Sequence, residues 1–556
     1  MKRFLTGSLS VLMLLSTAAC ARGGADSSGG PQNAPASTAQ GGSAEPVSIN
    51  ANEGLQGEIT VSIFDPMPSQ LFLQDAAKKF EEKYPNTKIN ITAFAAMPEI
   101  KTGQNSDGGK TVQVQISDNQ TEAQKPDYIN KINTQLMSGQ GPDLFGIDVL
   151  PYYRYATGGQ LEDLSAYMSS DASFNMADYR QNILDAMKIG GKQYILPLDY
   201  NFDLMGYDPS LFTQGELDAI KTKDKMTIEE MTDLAKGSFN SNNGDTRMFG
   251  FSGGAGKGFS MFGELLNEHY TDFLSIPDKK ASFNDGKFAG LLATVKDYED
   301  KGYISAGNIQ QGAASGANTP NISTLMGNQD ASIYYKPVNN AVLMNYLSKY
   351  YSSNKTSGIK NSLAINGVIM KDTDEIMGVI PDNKGNVNFT ASQAYAMNAN
   401  SANKQLAWAF LKFLLSEDMQ TSPAMSFNGV PMNINAAKDK AKLQAAGADV
   451  GIGMSIPGAQ KQDLQGKDGS SQQQAVDQAA QQSAADVTLT AEQQQVYDAY
   501  TGMIEKYTPM INSFAIADDA IASIINTEAM NFFNGTASAD EVSNKIQNKV
   551  DLYINE

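Results

Sequence analysis

Carboxylates and flat aromatic side chains occur together at two places along the 556-residue chain. Phe64 and Asp65 follow an alternating apolar segment, and Asp148, Tyr152 and Tyr153 follow a mostly apolar one. Carboxylates accept hydrogen bonds from hydroxyl groups, and aromatic rings cover apolar ring faces. The chemistry that these residues indicate is non-covalent binding of a small polar molecule.

The chain has one histidine and one cysteine, which limits catalysis that depends on these residues. His269 is the only histidine, and it lies in a segment that predicts a helix end, where a cation is ordinary capping. The residue counts exclude a metal centre built on several histidines or cysteines, and we expect no metal and no cofactor. A surface glycosidase needs two carboxylates about 5 to 9.5 Å apart. No acidic pair stands out, so we do not expect an enzyme.

Cys20 is the only cysteine and ends an apolar run that begins at Leu5, behind Lys2 and Arg3. The run of about 15 residues is shorter than a membrane span and predicts a signal peptide over residues 1–19. A cysteine after small residues resembles a bacterial lipobox, although Thr17 stands where leucine is usual. This implies acylation of Cys20, for example by palmitate, while an ordinary signal peptide with a stray cysteine remains open. Residues 20–57 predict a flexible linker.

The charge balance bears on the partners of the chain. The formal net charge is −19, and removal of Lys2 and Arg3 with the signal makes it −21. Such a chain repels nucleic acid and anionic lipid, so we expect no nucleic-acid partner and membrane contact through the lipid only. The length exceeds what a single core supports, so two or more lobes are expected.

Hydrophobic periodicity predicts an α/β fold. Strands are predicted at 59–63, 89–93 and 143–149. A helix that starts at Ser69 is predicted after the first strand, and a helix that ends at Gly139 is predicted after the second. This alternation is typical of a parallel sheet with crossover helices, in which ligands bind at the carboxyl ends of the strands.

Later segments give further expectations. Residues 101–126 predict an exposed loop or hairpin, and residues 436–490 predict a partly helical, Gln-rich insertion. Residues 401–419 predict one helix with Trp408 in the core. Residues 538–541 predict a capping box, and residues 382–386 predict a plain turn.

Short motifs in a fixed order carry a resemblance to a known family. They are Phe80–Pro85, Gly139–Phe145, Gly158–Leu164, Gly191–Pro197, Met205–Phe212, Ala407–Leu414 and Gly429–Pro431. In this order they resemble the family 1 extracellular solute-binding proteins of ABC importers, the group that includes maltose-binding protein. The resemblance covers roughly 58–435 and 497–556.

The resemblance implies a two-lobe, periplasmic-binding-protein-like α/β fold, with each lobe a sheet flanked by helices and with three crossing hinge segments. The crossings are expected near 200–206, 378–384 and 429–433. The implied division is lobe one at 58–206 and 378–433, and lobe two at 207–377 and 434–556.

A solute cleft between the lobes is the implied site. Beyond the strand-end residues, it would include Tyr200 and Asp203 from the first crossing, and Phe259 and Tyr335 from lobe two. The family usually has a sugar-stacking tryptophan where this chain has Val338. Tyr334 or Tyr335 then supplies the flat face, or the solute is not a carbohydrate.

The function that this resemblance implies is a lipid-anchored extracellular receptor. It would bind a solute, with carbohydrate favoured, and deliver it to ABC permease subunits as a monomer on a Gram-positive cell surface. A cell-surface adhesin or signalling receptor with the same fold stays open. So does a receptor for a peptide or polyamine.

Overall fold

The structure is a computed structural model and describes part of the chain. The described residues are 54–65, 69–95, 99–104, 110–115, 118–241, 246–251, 257–306, 332–351, 363–365, 368–370, 374–422, 425, 429–447, 484–515 and 518–555. Cys20, the predicted signal peptide and most of the predicted linker and Gln-rich insertion lie outside them.

Helices flank the strands along the whole described chain. Among the described residues, no helix is both long and apolar enough to cross a bilayer. The α-helices are Ser69–Lys83 (α1), Asp118–Met137 (α2), Tyr152–Thr157 (α3), Ser165–Ser170 (α4), Gln181–Ala186 (α5), Gln214–Lys221 (α6), Ile228–Ser241 (α7), Lys257–Phe273 (α8), Lys287–Asp300 (α9), Asn340–Tyr350 (α10), Lys404–Leu414 (α11), Glu417–Gln420 (α12), Ile434–Ala445 (α13), Ala491–Tyr507 (α14), Asp519–Phe533 (α15) and Ala539–Asn555 (α16).

The strands fall into two larger sheets and several pairs. They are Gly57–Ile63 (β1), Thr87–Ala93 (β2), Glu99–Gln104 (β3), Lys110–Gln115 (β4), Leu144–Gly146 (β5), Ile195–Pro197 (β6), Asp199–Tyr200 (β7), Asp203–Tyr207 (β8), Thr246–Phe251 (β9), Leu274–Ser275 (β10), Lys280–Ala281 (β11), Ile304–Ala306 (β12), Ser332–Asn339 (β13), Leu363–Ile365 (β14), Val368–Met370 (β15), Glu375–Val379 (β16), Val387–Phe389 (β17), Ala394–Met397 (β18), Val430–Pro431 (β19) and Ile511–Phe514 (β20).

The first sheet has five strands in the order β2-β1-β5-β18-β6. Its first three strands run parallel, as predicted from the strand–helix alternation, and β18 runs antiparallel to β5 and β6. Ile59, Val61 and Ile63 alternate along β1 and are buried. Phe72, Ala76 and Phe80 recur every fourth residue and bury one face of α1, which is the spacing of an amphipathic helix.

The second sheet has five strands in the order β12-β9-β13-β8-β16. Its central strand β13 runs parallel to β9 and antiparallel to β8. Helix α8 packs against β9 and β12. The fold is therefore mixed α/β with helix-flanked sheets, which confirms the predicted fold class.

The chain passes between the two sheets through short segments that contact each other. The segment from β6 to β8 contains β7, and the return from β16 to β18 contains β17. Strand β7 pairs antiparallel with β19, so that Asp199 lies opposite Pro431 and Tyr200 opposite Val430.

Asp199 joins these segments through its side chain. The carboxylate is fully buried, and its Oδ1 accepts hydrogen bonds from the backbone N–H groups of Ser392 (2.8 Å) and Gln393 (3.1 Å). An added Cβ on Gly429 would lie 2.7 Å from Cγ of Asp199 and closer still to its Oδ2. Only glycine leaves room for the carboxylate at this point.

Two predicted segments differ in the structure. Strands β3 and β4 pair antiparallel, but α2 begins at Asp118 and takes up the rest of the predicted loop. The single helix predicted over 401–419 is two helices, α11 and α12. Ser416 interrupts it, because its hydroxyl accepts a hydrogen bond from Met419 N and starts a new helix.

Other local predictions are confirmed. Trp408 is fully buried, and its indole N–H donates to the buried carboxylate of Asp171 at 2.9 Å. Ser538 and Glu541 form the reciprocal hydrogen bonds of a capping box. The Asp382–Asn386 segment is a turn in which Asp382 accepts the backbone N–H groups of Lys384 and Asn386.

Gly429→Ala should destabilise the protein by about 2 kcal/mol, because its methyl group would overlap the fixed carboxylate of Asp199. Gly502→Ala is the matched control. Gly502 lies in α14, an added Cβ there meets nothing within 4 Å, and alanine favours a helix over glycine by up to about 1 kcal/mol. Urea unfolding followed by the fluorescence of the single tryptophan measures both. Equal shifts in the same direction would contradict the close contact.

Candidate functional site

The carboxyl end of β1 presents Asp65 at the edge of the first sheet. Phe64 is buried instead, with its ring 5.4 Å from that of Tyr128 and 6.4 Å from that of Phe94. Asp65 follows it and is partly exposed. Of these two predicted site residues, only Asp65 has a side chain that solvent reaches to any extent.

Asp148 lies just beyond the carboxyl end of β5, the strand next to β1. The pKa of Asp148 is raised to about 6. Burial by surrounding protein is the main cause and the charge of Asp65 adds to it, while a backbone hydrogen bond acts in the opposite direction. The side chain is nonetheless exposed. Asp148 is therefore open to solvent, while the protein around it still disfavours its charged form.

Tyr152 starts α3, four residues further along. It is buried, and its hydroxyl has no hydrogen-bond partner among the described residues. Its ring lies 6.1 Å from that of Phe514 on β20, and Tyr270 on α8 is near enough to raise its pKa. Buried hydroxyls are nearly always partnered, so this one calls for a partner that a bound molecule or a water can supply.

Helix α8, which packs on the second sheet and carries Tyr270, also carries Glu264 and Phe259. Burial, and after it the charge of Asp203, raises the pKa of Glu264 to about 7. Phe259 is half-buried against Phe262 (6.0 Å) and Phe533 (6.2 Å). Asp203 itself is exposed at the start of β8.

The hydroxyl groups of Tyr153 and Tyr200 form hydrogen bonds with other side chains of the protein. Tyr153 donates to the carboxylate of Asp518, the N-cap of α15. Tyr200 is fully buried in the crossing strand β7, and its hydroxyl lies 2.9 Å from that of Thr508. The structure thus gives these two tyrosines packing and bridging contacts, and brings Asp65, Asp148 and Tyr152 to one sheet edge.

Tyr335 lies in the centre of the second sheet. Its backbone pairs with Tyr207 on β8 and with Phe249 on β9. Its side chain lies outside the described residues.

Helix α3 is also fastened to the C-terminal helices. The guanidinium of Arg154 lies 4.3 Å from the ring centre of Tyr553 on α16 and donates to the carbonyl oxygen of the same residue. Tyr553 donates in turn to Asp518 at 3.0 Å. Together with the Tyr153–Asp518 bond, these contacts hold α3 against α15 and α16.

A shallow recess lies elsewhere, beside α5, α13 and α14. Its cavity volume is about 10 Å³, and Arg180 in its wall is paired with Glu505 at 2.7 Å. Ligand pockets are usually about 300 to 1,000 Å³. The recess is smaller than that and its main charges are matched, so we do not assign the site to it.

Sequence reasoning missed Glu264, Tyr270 and Asp518. Glu264 and Tyr270 lie on a helix, and the strand-end rule singles out residues that follow strands. One signal was present for Glu264, since it stands between Phe262 and Leu265, both buried. A carboxylate within an apolar stretch of helix is a candidate for a perturbed pKa.

Comparison with known proteins gives a family match and several structural matches. A family model described as "Bacterial extracellular solute-binding protein" matches residues 110–448, a range that includes Asp148, Tyr152 and Glu264.

Three solved structures are similar over most of the chain. A family 1 extracellular solute-binding protein from Alicyclobacillus acidocaldarius is 12% identical, with 90% of this chain and 100% of that chain covered and a TM-score of 0.49. An ABC substrate-binding protein from Listeria monocytogenes, in complex with cycloalternan, is 15% identical, with coverages of 90% and 100% and a TM-score of 0.44. A cyclic alpha-maltosyl-1,6-maltose binding protein from Arthrobacter globiformis is 13% identical, with coverages of 90% and 99% and a TM-score of 0.47.

Glu264→Gln should stabilise the protein at pH 8 by about 1 kcal/mol, because it removes a charge that burial disfavours. A raised pKa means that the folded state loses stability as the pH rises through about 7. The gain should therefore be several times smaller at pH 5, where the carboxyl group of the folded protein is protonated, and should vanish below the ordinary pKa of 4.5.

Thermal unfolding at the two pH values measures this difference. Glu82→Gln, at an exposed position of α1, is the control and should change little at either pH. A gain for Glu264→Gln that is equal at pH 5 and pH 8 would show that charge is not its cause.

Proposed function

The chain belongs to the bacterial extracellular solute-binding proteins, and from that premise we propose that it binds a solute between its two five-stranded sheets and passes it to an ABC importer. The observation that carries the proposal is the buried Tyr152 hydroxyl, which has no hydrogen-bond partner among the described residues and lies near Tyr270 on α8. The family consists of binding proteins, and no catalytic step is proposed.

A carbohydrate is the solute that the site chemistry favours. Asp65, Asp148, Asp203 and Glu264 can accept hydrogen bonds from hydroxyl groups. Asp148 and Glu264 can also donate when protonated, which a pKa of about 6 and about 7 allows near neutral pH. Tyr152 on α3 and Tyr270 on α8 add flat, partly apolar surfaces.

A cationic solute such as a polyamine is the second candidate. Asp65 raises the pKa of Asp148, and Asp203 raises that of Glu264, so like charges repel in both pairs. A bound cation would relieve this repulsion.

The pH dependence separates the two candidates. The affinity for a polyamine such as spermidine should fall tenfold or more from pH 8 to pH 5, because Asp148 and Glu264 take up protons as the pH falls through 7 and 6. A neutral sugar should show no such fall. Isothermal titration calorimetry at both pH values measures the affinities, and a polyamine affinity that does not change would contradict the cation assignment.

The anchoring and partners follow from the sequence and form part of the same proposal. Acylated Cys20 and the linker to residue 57 would tether the receptor to the outer face of a Gram-positive cell membrane. Lobe one would comprise 58–206 and 378–433, and lobe two 207–377 and 434–556. The protein would act as a monomer that docks on permease subunits.

Thermal unfolding against a panel of sugars, peptides and polyamines tests the proposal. A ligand at 100 times its dissociation constant adds about 2.7 kcal/mol to the folded state, which raises the midpoint visibly. A rise with one sugar class would support the carbohydrate. A rise with polyamines alone would support the second candidate, and no rise with any solute would favour an adhesin or signalling receptor.

Two neighbouring tyrosines offer a matched pair of variants once a solute is found. Tyr152→Phe removes a hydroxyl that has no hydrogen-bond partner in the described part of the chain, so it should weaken solute binding about tenfold and leave stability unchanged. Tyr153→Phe breaks the bond to Asp518 and should lower the free energy of unfolding by about 1 kcal/mol. Calorimetry and urea unfolding give the two readouts. A Tyr152→Phe protein that binds as well as the wild type would remove Tyr152 from the site.

A further inference from the structure

Glu268 is a carboxylate on the buried face of α8, one turn after Glu264. Met261 and Leu265 precede it at helical spacing and are fully buried, and Glu268 itself is 4% exposed. Its Oε2 accepts the backbone N–H of Ile228 at 2.8 Å. Its Oε1 is buried and has no hydrogen-bond partner among the described residues.

His269 brings an imidazole nitrogen to the same point. Its Nε2 is buried and has no hydrogen-bond partner in the described part of the chain. It lies 3.6 Å from Oε2 of Glu229, at the start of α7, and 4.0 Å from Oε1 of Glu268. These separations are longer than hydrogen bonds, so a gap remains between three groups that could each donate an electron pair.

We propose that Glu229, Glu268 and His269 bind a divalent first-row transition-metal ion, with zinc as the ion that their donor atoms favour. Their ligand atoms all lie within 4.8 Å of one another. Zinc takes imidazole nitrogen and carboxylate oxygen at about 2.0 to 2.2 Å, which separates tetrahedral ligands by about 3.3 Å. Small side-chain movements would close the observed gaps to that spacing.

The charges and the solvent access suit such an ion. Two carboxylates match a double positive charge, and the buried position of the Glu268 carboxylate would cost less with a cation beside it. The side chain of Glu229 is 45% exposed, so an ion could enter from that side and keep a water as its fourth ligand. The single histidine excludes a centre of several histidines, but it leaves room for one histidine with two carboxylates.

Residues behind the imidazole could hold it in the ligating tautomer. Asp272 Oδ2 lies 3.5 Å from Nδ1 of His269, on the side away from the gap. A carboxylate in this position accepts the Nδ1 proton and leaves Nε2 free to ligate. The side-chain amide of Asn383 donates to the same Asp272 oxygen and helps to hold that carboxylate in place.

The ion would have a structural role. It would join the start of α7 to α8, and Asn383 N donates to the carbonyl oxygen of Glu268 at 3.0 Å. Asn383 belongs to the turn between β16 and β18, in one of the segments that connect the two sheets. Zinc binding would therefore stabilise the end of α8 and this turn.

The single histidine makes the test direct. The chain is prepared without a polyhistidine tag, labelled with nitrogen-15 histidine, treated with a chelator and titrated with Zn²⁺ alone. One equivalent should move the Nε2 resonance of His269 to the metal-bound range while Nδ1 stays protonated. Mass spectrometry of the dialysed protein should find one zinc per chain.

Variants separate this site from adventitious binding. Glu268→Gln and His269→Asn should each lower the zinc affinity at least tenfold, whereas Asp233→Asn, at an exposed position on α7, should not change it. Circular dichroism checks that each variant is folded. An Nε2 resonance that ignores Zn²⁺, or zinc that stays bound in both ligand variants, would overturn the proposal.

Discussion

The buried carboxylate of Asp199 is the contact on which the two-sheet arrangement depends. It lies on the strand that leads from the first sheet to the second, and it accepts backbone N–H groups from Ser392 and Gln393 on the returning segment. It also packs against Gly429, beside the β19 strand that pairs with β7. One side chain thus fixes three connecting segments relative to one another.

Burial is costly for this carboxylate and for the cation near it. Burial raises the pKa of Asp199. Burial also lowers the pKa of Lys440 on α13 to about 8, although the negative charge of Asp199 favours the protonated lysine. Breaking one member of a buried pair usually costs more than the pair contributes, so such groups are better evidence for a specified geometry than for high stability. The geometry that Asp199 specifies places Asp203, four residues later, near Glu264, and so sets the charge of the region where we propose that solute binds.

The sequence predicted the parts of this structure that follow from local pattern. Ile59, Val61 and Ile63 alternate and form a strand, and the carboxyl ends of β1 and β5 meet at one edge because the strands are parallel and adjacent. Ser416 shows why one predicted helix is two helices in the structure. A serine can lie within a helix or cap the start of a new one, and the sequence does not distinguish these two roles. Helix α8 carries Glu264, Glu268 and Tyr270. It meets the other residues of the two proposed sites through packing between elements far apart in sequence, and periodicity does not encode such packing. Tyr153 and Tyr200 looked alike in sequence to Tyr152, and only their contacts with Asp518 and Thr508 distinguish them.

Hydrogen exchange with and without bound solute tests the central claim, that the solute lies between the two sheets. We expect bound solute to slow exchange in two regions together: residues 147–157, which follow β5, and α8, which packs on the second sheet. Protection confined to one of these regions, or centred on the recess beside Arg180 and Glu505, would contradict it.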